Sequence, residues 1–452
     1  MKIQLFPIGM ALCLLTACQQ TDLPAPEPAE PVEFSCELST SHQAVADELS
    51  ATFAKVFQPV DPTVADPALD PLVEYLGEAS IVGMGEATHG TREFFQFKDL
   101  LFRRLVTEQG FKAIVFEIPW GNAMIVNDYV LHGIGNANDA VDQTWYWVYD
   151  TQEVRDLVIW MRNYNENLPE VDRIWFVGND PQGPDFQAEV DRIWKYLQVV
   201  DPDSAHSVIA QYKDLPTGDL FDVAGVNADL HAANQEASQW VLDYLSRNET
   251  NFVAASNQQS FDVIQMAAQV IQSRENMYWV GDFGIGRDQL MAVYTQRWQE
   301  LFSTDLAEAK VAAWAHNNHV SNISGWMGQF LKDSYGAAYQ IVGFSFTRGA
   351  FNAFLADGNF AFLGPVQEQS ITDPICPSAN HLFGEVQGDQ FYLILGELSG
   401  PARNFLYGSQ PFTQCGAGFN VQYQSNYTLQ QNQGDRNDVL VHFDQTAASL
   451  LR

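Results

Sequence analysis

Hydrophobic and polar positions alternate along this chain in two regimes. Short apolar runs of strand length recur at Ile81–Met84, Phe111–Glu117, Arg173–Gly178, Val311–Ala315, Gln340–Phe346 and Asp438–Phe443. Between several of them the apolar residues fall at helical spacing. Phe94, Phe97, Leu101 and Leu105 line one face of a helix over Thr91–Gln109, and Val154, Leu157, Val158 and Met161 do the same over Thr151–Tyr164. Further helices are predicted over Ser41–Phe57 and near Asn122–His132. Strands alternating with helices predict an α/β fold with a mainly parallel central sheet flanked by helices. From about residue 185 to 308 the pattern is helical without a strong strand, which predicts a large helical insertion or lid over the sheet.

Three of the strands end in groups that can move protons. Ile81–Met84 stops at Gly85 and delivers Glu86 and His89, three positions apart. The run from Phe111 ends in Glu117, and the run from Val311 leads into His316 and His319. Open α/β sheets place their functional groups past the carboxyl ends of the strands, so one shared site is expected there. Other residues read more blandly. Trp145-Tyr146-Trp147 suits core packing better than a substrate platform. Lys98 is expected one helical face along from His89, with its ammonium in the same cleft. The bland alternatives are a surface pairing of Lys98 with Asp99 and a helix-start ion pair of Arg287 with Asp288.

Composition narrows the function. The chain has 452 residues, and 46% hydrophobic with 13% aromatic content supports a sizeable core. A net charge of −33, from 56 acidic and 23 basic residues, excludes a nucleic-acid partner, because phosphates need basic surface. At the N-terminus, Lys2 precedes an apolar run from Ile3 to Leu15, too short to span a bilayer and suited to a signal-peptide core. It ends in Leu15-Thr16-Ala17-Cys18, which resembles a bacterial lipobox with Cys18 as the lipidated residue. A signal peptide over 1–18, a proline-rich tether over 19–40 and a catalytic domain over 41–452 follow from this. So does a membrane partner through the lipid anchor, with outer-membrane rather than inner-membrane sorting, since Gln19 and Gln20 follow the Cys. In that oxidising compartment a Cys376–Cys415 disulfide is expected, with Cys36 pairing to either as the alternative. No cysteine spacing resembles a zinc site.

The ordered motifs resemble the erythromycin esterase family. They are Gly85–Gly90, Phe97-Lys98, the strand to Glu117, Trp160-Met161-Arg162, Gly178–Gln182 (GNDPQ), Arg287–Ala292, Trp314–His319, Met327-Gly328 and Gly343-Phe344-Ser345. The resemblance implies a metal-independent carboxylic ester hydrolase without a cofactor, acting on a small-molecule ester or lactone. His89 then matches the base that activates water, and Glu86 and Glu117 the acids that orient and polarise it. His316 or His319 matches a second catalytic imidazole, and Arg287 the helical arginine. Lys98 stands where macrolide esterases carry an arginine, which keeps the charge but loses its planar fork. A serine nucleophile is disfavoured, because no G-x-S-x-G elbow occurs and Ser80 and Ser345 lack flanking glycines. Two other readings stand beside this one. Glu86, His89, Glu117, His316 and His319 are legitimate metal ligands, and a lipoprotein could bind a ligand on a retired hydrolase fold.

Overall fold

The computed structural model describes residues 37–216, 227–304 and 308–452. The strands, in chain order, are β1 (Lys55–Val56), β2 (Ile81–Met84), β3 (Ala113–Pro119), β4 (Trp175–Asp180), β5 (Val311–Trp314), β6 (Tyr339–Ala356), β7 (Phe362–Ile371), β8 (Gln390–Ile394), β9 (Gln410–Thr413), β10 (Gly418–Phe419), β11 (Thr428–Gln431) and β12 (Val439–Thr446). The main sheet runs β1-β8-β12-β6-β2-β5-β3-β4. Every neighbouring pair from β12 to β4 is parallel, while β8 and β1 add an antiparallel edge. The protein is therefore a mixed α/β fold on a mostly parallel sheet. Strands buried on both faces need continuous apolar runs, and β2, β3, β4 and β5 are buried throughout.

Helices cover both faces. Before the β2–β3 crossover lie α1 (Thr40–Glu48) and α2 (Asp70–Gly77). The β2–β3 crossover carries α3 (Arg92–Gln109), and β3–β4 carries α4 (Trp120–His132), α5 (Ala137–Val141) and α6 (Gln152–Asn165). The path from β4 to β5 carries α7 (Gln187–Val200), α8 (Pro202–Ile209), α9 (Ala228–Ala255), α10 (Gln258–Val280) and α11 (Ile285–Phe302). Past β5 come α12 (Asn317–Val320) and α13 (Met327–Tyr335). Phe94, Phe97, Leu101 and Leu105 of α3 are buried with Val82 and Phe116 in one core layer. Each such side chain contributes about 1.5–3 kcal/mol by leaving water. Ile81, Val115, Val177 and Val311 point to the other face, against residues of α7, α9, α10 and α11. No helix of the described residues is long and apolar enough to cross a membrane.

Several sequence-based expectations need correcting. The predicted helix over Ser41–Phe57 breaks up. α1 passes into a π-helical turn over Leu49–Phe53, Ala54 turns extended, and Lys55–Val56 pairs with β8. The strand expected over Gln340–Phe346 continues to Ala356 and turns back as β7, forming a long hairpin. The Cys376–Cys415 disulfide does not form. Cys415 is a free buried thiol, while Cys376 is disulfide-bonded to a partner outside the described residues. Burial also pushes the Cys415 thiol well above its ordinary pKa. Its position explains this, because the Cys415 backbone N–H is held by the Ala87 carbonyl inside the sheet's carboxyl end. Cys18 and the lipobox, most of the tether, and Cys36 lie outside the described residues.

Candidate active site

The adjacent strands β2, β5, β3 and β4 end side by side, and their last residues or the turns after them supply Glu86, His316, Glu117 and Asp180. Two glycines let the first turn sit close. A Cβ at Gly85 would come within 2.2 Å of Asn317 Oδ1, and one at Gly90 within 2.3 Å of the Asn352 carbonyl. The turn then hands over to α3 at Thr91, whose extended backbone caps the helix.

Glu86 is fully buried and saturated with donors. Its Oε1 accepts His89 Nδ1–H at 2.6 Å, and its Oε2 accepts Trp314 Nε1–H at 3.1 Å and the ammonium of Lys98. Burial alone would raise its pKa, but Lys98 and His89 outweigh that and hold it below its usual range. Lys98 is also fully buried, with its ammonium 4.1 Å from the centre of the Trp314 ring. Burial lowers its pKa to about 8, and Glu86 prevents a larger fall. The alternative surface pairing with Asp99 is absent, since Asp99 holds Arg103 at 2.6 Å. Lys98 reaches Glu86 rather than open cleft.

The three histidines occupy different states. With Nδ1–H committed to Glu86, the neutral form of His89 has a bare Nε2 lone pair to offer. Gly416 borders that edge, where a Cβ would lie 3.6 Å from Nε2. His316 starts α12 as its N-cap, and its Nδ1 accepts from the Asn318 N–H at 3.2 Å. The proton therefore sits on Nε2, which is buried without a partner. Burial, reinforced by His89 and His319, lowers the His316 pKa to about 3, so the ring stays neutral. The His89 and His316 rings lie 5.1 Å apart. His319 is opposite in character. Its Nδ1 lies 2.7 Å from Asp288 and its Nε2 3.1 Å from Glu117. Burial works against charge there, but Glu117 and Asp288 raise the pKa to about 9 and leave an imidazolium. Arg287 Nη1 also sits 3.3 Å from His319 Nε2. Both groups are donors in that state, so Glu117 between them is the real partner of each.

Arg287 does not pair with Asp288. Its Nε and Nη2 grip the two oxygens of Asp180 at 2.9 and 2.7 Å, and Nη2 also reaches Glu117 Oε1 at 2.9 Å. Glu117 Oε2 accepts the His316 backbone N–H at 3.0 Å. Burial notwithstanding, His319 and Arg287 keep Glu117 ionised, far below the ordinary carboxylate range. Tyr146 belongs to this network too, donating to Asp180 Oδ2 at 2.9 Å.

The structure thus brings His89, Glu86, Lys98, Glu117, His316, His319 and Arg287 into one connected cluster. Sequence reasoning passed over Asp180, Asp288, Trp314 and Tyr146 as site residues. Asp180 was within reach of the rule that selected Glu117, since both lie at the carboxyl end of a parallel strand. The others join through tertiary packing, which no spacing displays. Among the described residues, no three His, Cys, Asp or Glu side chains converge as a metal-ligand set.

These features define an α/β protein with a histidine–carboxylate site at the carboxyl ends of its parallel strands. The chain belongs to the erythromycin esterase family, whose model, described as erythromycin esterase, matches residues 106–446. The turn from Gly85 to Gly90 precedes that span. A curated relative is the erythromycin esterase type II of Escherichia coli, 23% identical over 301 residues, which are 60% of this chain and 70% of that protein. Among solved structures, a protein from Bacillus cereus is 26% identical with a TM-score of 0.78, covering 91% of this chain and 99% of that one. A structure described as a succinoglycan biosynthesis protein has a TM-score of 0.79 at 24% identity, covering 92% and 100%. A mutant of the erythromycin esterase EreC in its open conformation has a TM-score of 0.61 at 16% identity, covering 88% and 98%, a likeness of fold. Family membership supports a hydrolase acting on a small-molecule substrate.

Proposed function

We propose that the protein hydrolyses a carboxylic ester or lactone with water activated directly by His89. The observation that carries this reading is the Glu86–His89 bond, which fixes the tautomer and leaves Nε2 as the base. In the proposed step, His89 Nε2 takes a proton from water as the water oxygen bonds to the carbonyl carbon. The carbonyl oxygen gains the displaced electron pair, and the His316 Nε2–H, which has no protein partner, donates to that oxyanion. Collapse expels the alkoxide, which recovers the proton from His89 and leaves the acid product. Lys98 and Trp314 act through Glu86, keeping it charged and oriented. Arg287, His319, Asp180 and Asp288 brace Glu117, and Glu117 holds the backbone of His316 in place.

Glu86 accepts three donors at once, which supports the bracing role, because a buried carboxylate is stable only when its lone pairs are satisfied. The test is turnover of an ester and lactone panel, macrolides included, by wild type and His89→Ala, each with and without chelator. Hydrolysis that is lost in His89→Ala and indifferent to chelator is the expected result. Turnover abolished by chelator transfers the site to metal chemistry, and no turnover of any substrate favours a binding protein. We further propose that Cys18 carries lipid and anchors the protein to a bacterial envelope membrane, on the strength of the Leu15–Cys18 motif.

A further inference from the structure

A cavity of about 520 Å³ lies between α4, α7 and α10, remote from His89. It sits beside Trp175, the first residue of β4, whereas Asp180 of the candidate active site is the last. At strand rise that separates the two by roughly 17 Å. The cavity falls within the usual size range for small-molecule pockets, about 300–1,000 Å³.

Its floor is apolar and buried, made by Met124, Leu131, Trp175, Val263 and Ile264. One polar side chain interrupts that floor. Asn127 is fully buried, and its Oδ1 accepts the Phe176 backbone N–H at 3.0 Å. That bond fixes which end of the amide is oxygen and leaves Nδ2 with no hydrogen-bond partner. A buried amide donor in an apolar wall is costly unless an acceptor reaches it. At the rim, Arg192 is held by Asp128 at 2.7 Å, and Glu170 and Lys195 add one charge of each sign. These four charges cancel, so the entrance favours neither anions nor cations.

We propose that this cavity is a second binding site, for a small neutral apolar molecule that places a carbonyl oxygen on Asn127 Nδ2. The floor desolvates the apolar body, and the amide fixes its orientation. The occupant enters independently of the catalytic cluster, because the lining shares no residue with it.

The test uses 1-tetralone as probe and tetralin, the same ring system without the ketone, as control. Protein with ¹³C-labelled methionine methyls is titrated with each by NMR, and affinities are measured by calorimetry. Saturable 1-tetralone binding that shifts the Met124 methyl, with tetralin at least ten-fold weaker, is the expected result. Asn127→Asp keeps an acceptor for the Phe176 N–H and replaces the unpartnered donor with oxygen, so it should lose at least ten-fold in 1-tetralone affinity. Ile264→Trp should fill the cavity and abolish binding. Absence of a Met124 shift in wild type, or equal affinity for ketone and hydrocarbon, overturns the proposal whether or not the variants fold.

Discussion

Glu86 and His89 are joined by a 2.6 Å bond inside the turn that follows β2, and Glu86 is fully buried while His89 keeps an edge toward solvent. A buried carboxylate with a mostly covered imidazole gives that ring one held nitrogen and one usable one. His89→Ala is expected to lose at least about 100-fold in turnover of any accepted ester. It should still fold but melt below wild type, since buried Glu86 loses one of its three donors. Near-normal hydrolysis by a folded His89→Ala protein would falsify the mechanism.

Lys98 should set the alkaline limit of activity. Its ammonium titrates near pH 8 instead of 10.5, because burial penalises the charge more than Glu86 rewards it. Above that pH, Glu86 loses its cation and the rate should fall. Lys98→Arg keeps its charge, so the alkaline limb should move upward even if the larger head lowers the maximum. Lys98→Met should cost about 3–5 kcal/mol of stability by leaving Glu86 without its buried partner. The pH–rate profiles of the three proteins test this, and an identical alkaline limb in wild type and Lys98→Arg would remove Lys98 from that role.

His319 contributes in the opposite direction. Its pKa rises from 6.5 to about 9 on folding, so the folded state binds the extra proton more tightly. That stabilisation is complete below pH 6.5 and disappears as pH rises through 9. Unfolding midpoints measured at pH 6 and pH 9.5 should therefore diverge more for wild type than for His319→Gln. Equal divergence in both proteins would mean that His319 is not charged in the fold.

The cysteines are distinguishable by chemistry. Without reductant, alkylation of the unfolded chain should label Cys415, whereas Cys376 should react only after reduction. Peptide mapping decides it. A Cys376–Cys415 cross-linked peptide would show that Cys415 is not a free thiol.

The proposed lipid anchor at Cys18 lies outside the described residues. Cys18→Ala should move the protein from the membrane fraction to the soluble fraction with hydrolysis unchanged. Continued membrane association of that variant would defeat the lipid-anchor proposal.

Much of the sheet was legible before any coordinates. Parallel strands are buried on both faces, so Ile81–Met84, the run to Glu117 and Val311–Trp314 had to read as largely apolar runs, and their ends pointed to Glu86, His89, Glu117 and His316. The face of α3 could be read as well, because helical periodicity is local. The edge formed by Lys55–Val56 with β8 could not, since it depends on a partner more than 330 positions away. The division of labour among three histidines was equally invisible. His316 and His319 differ by three residues in one motif, yet one ring is neutral and the other charged. What separates them is Asp288 and Glu117 gathered on the two nitrogens of His319, while a single backbone N–H meets His316 Nδ1. Sequence determines which groups can carry protons. Where each proton rests is set by the charges and dipoles that the fold brings to hydrogen-bond distance, and the charges on His319 come from a strand and a helix distant in the chain.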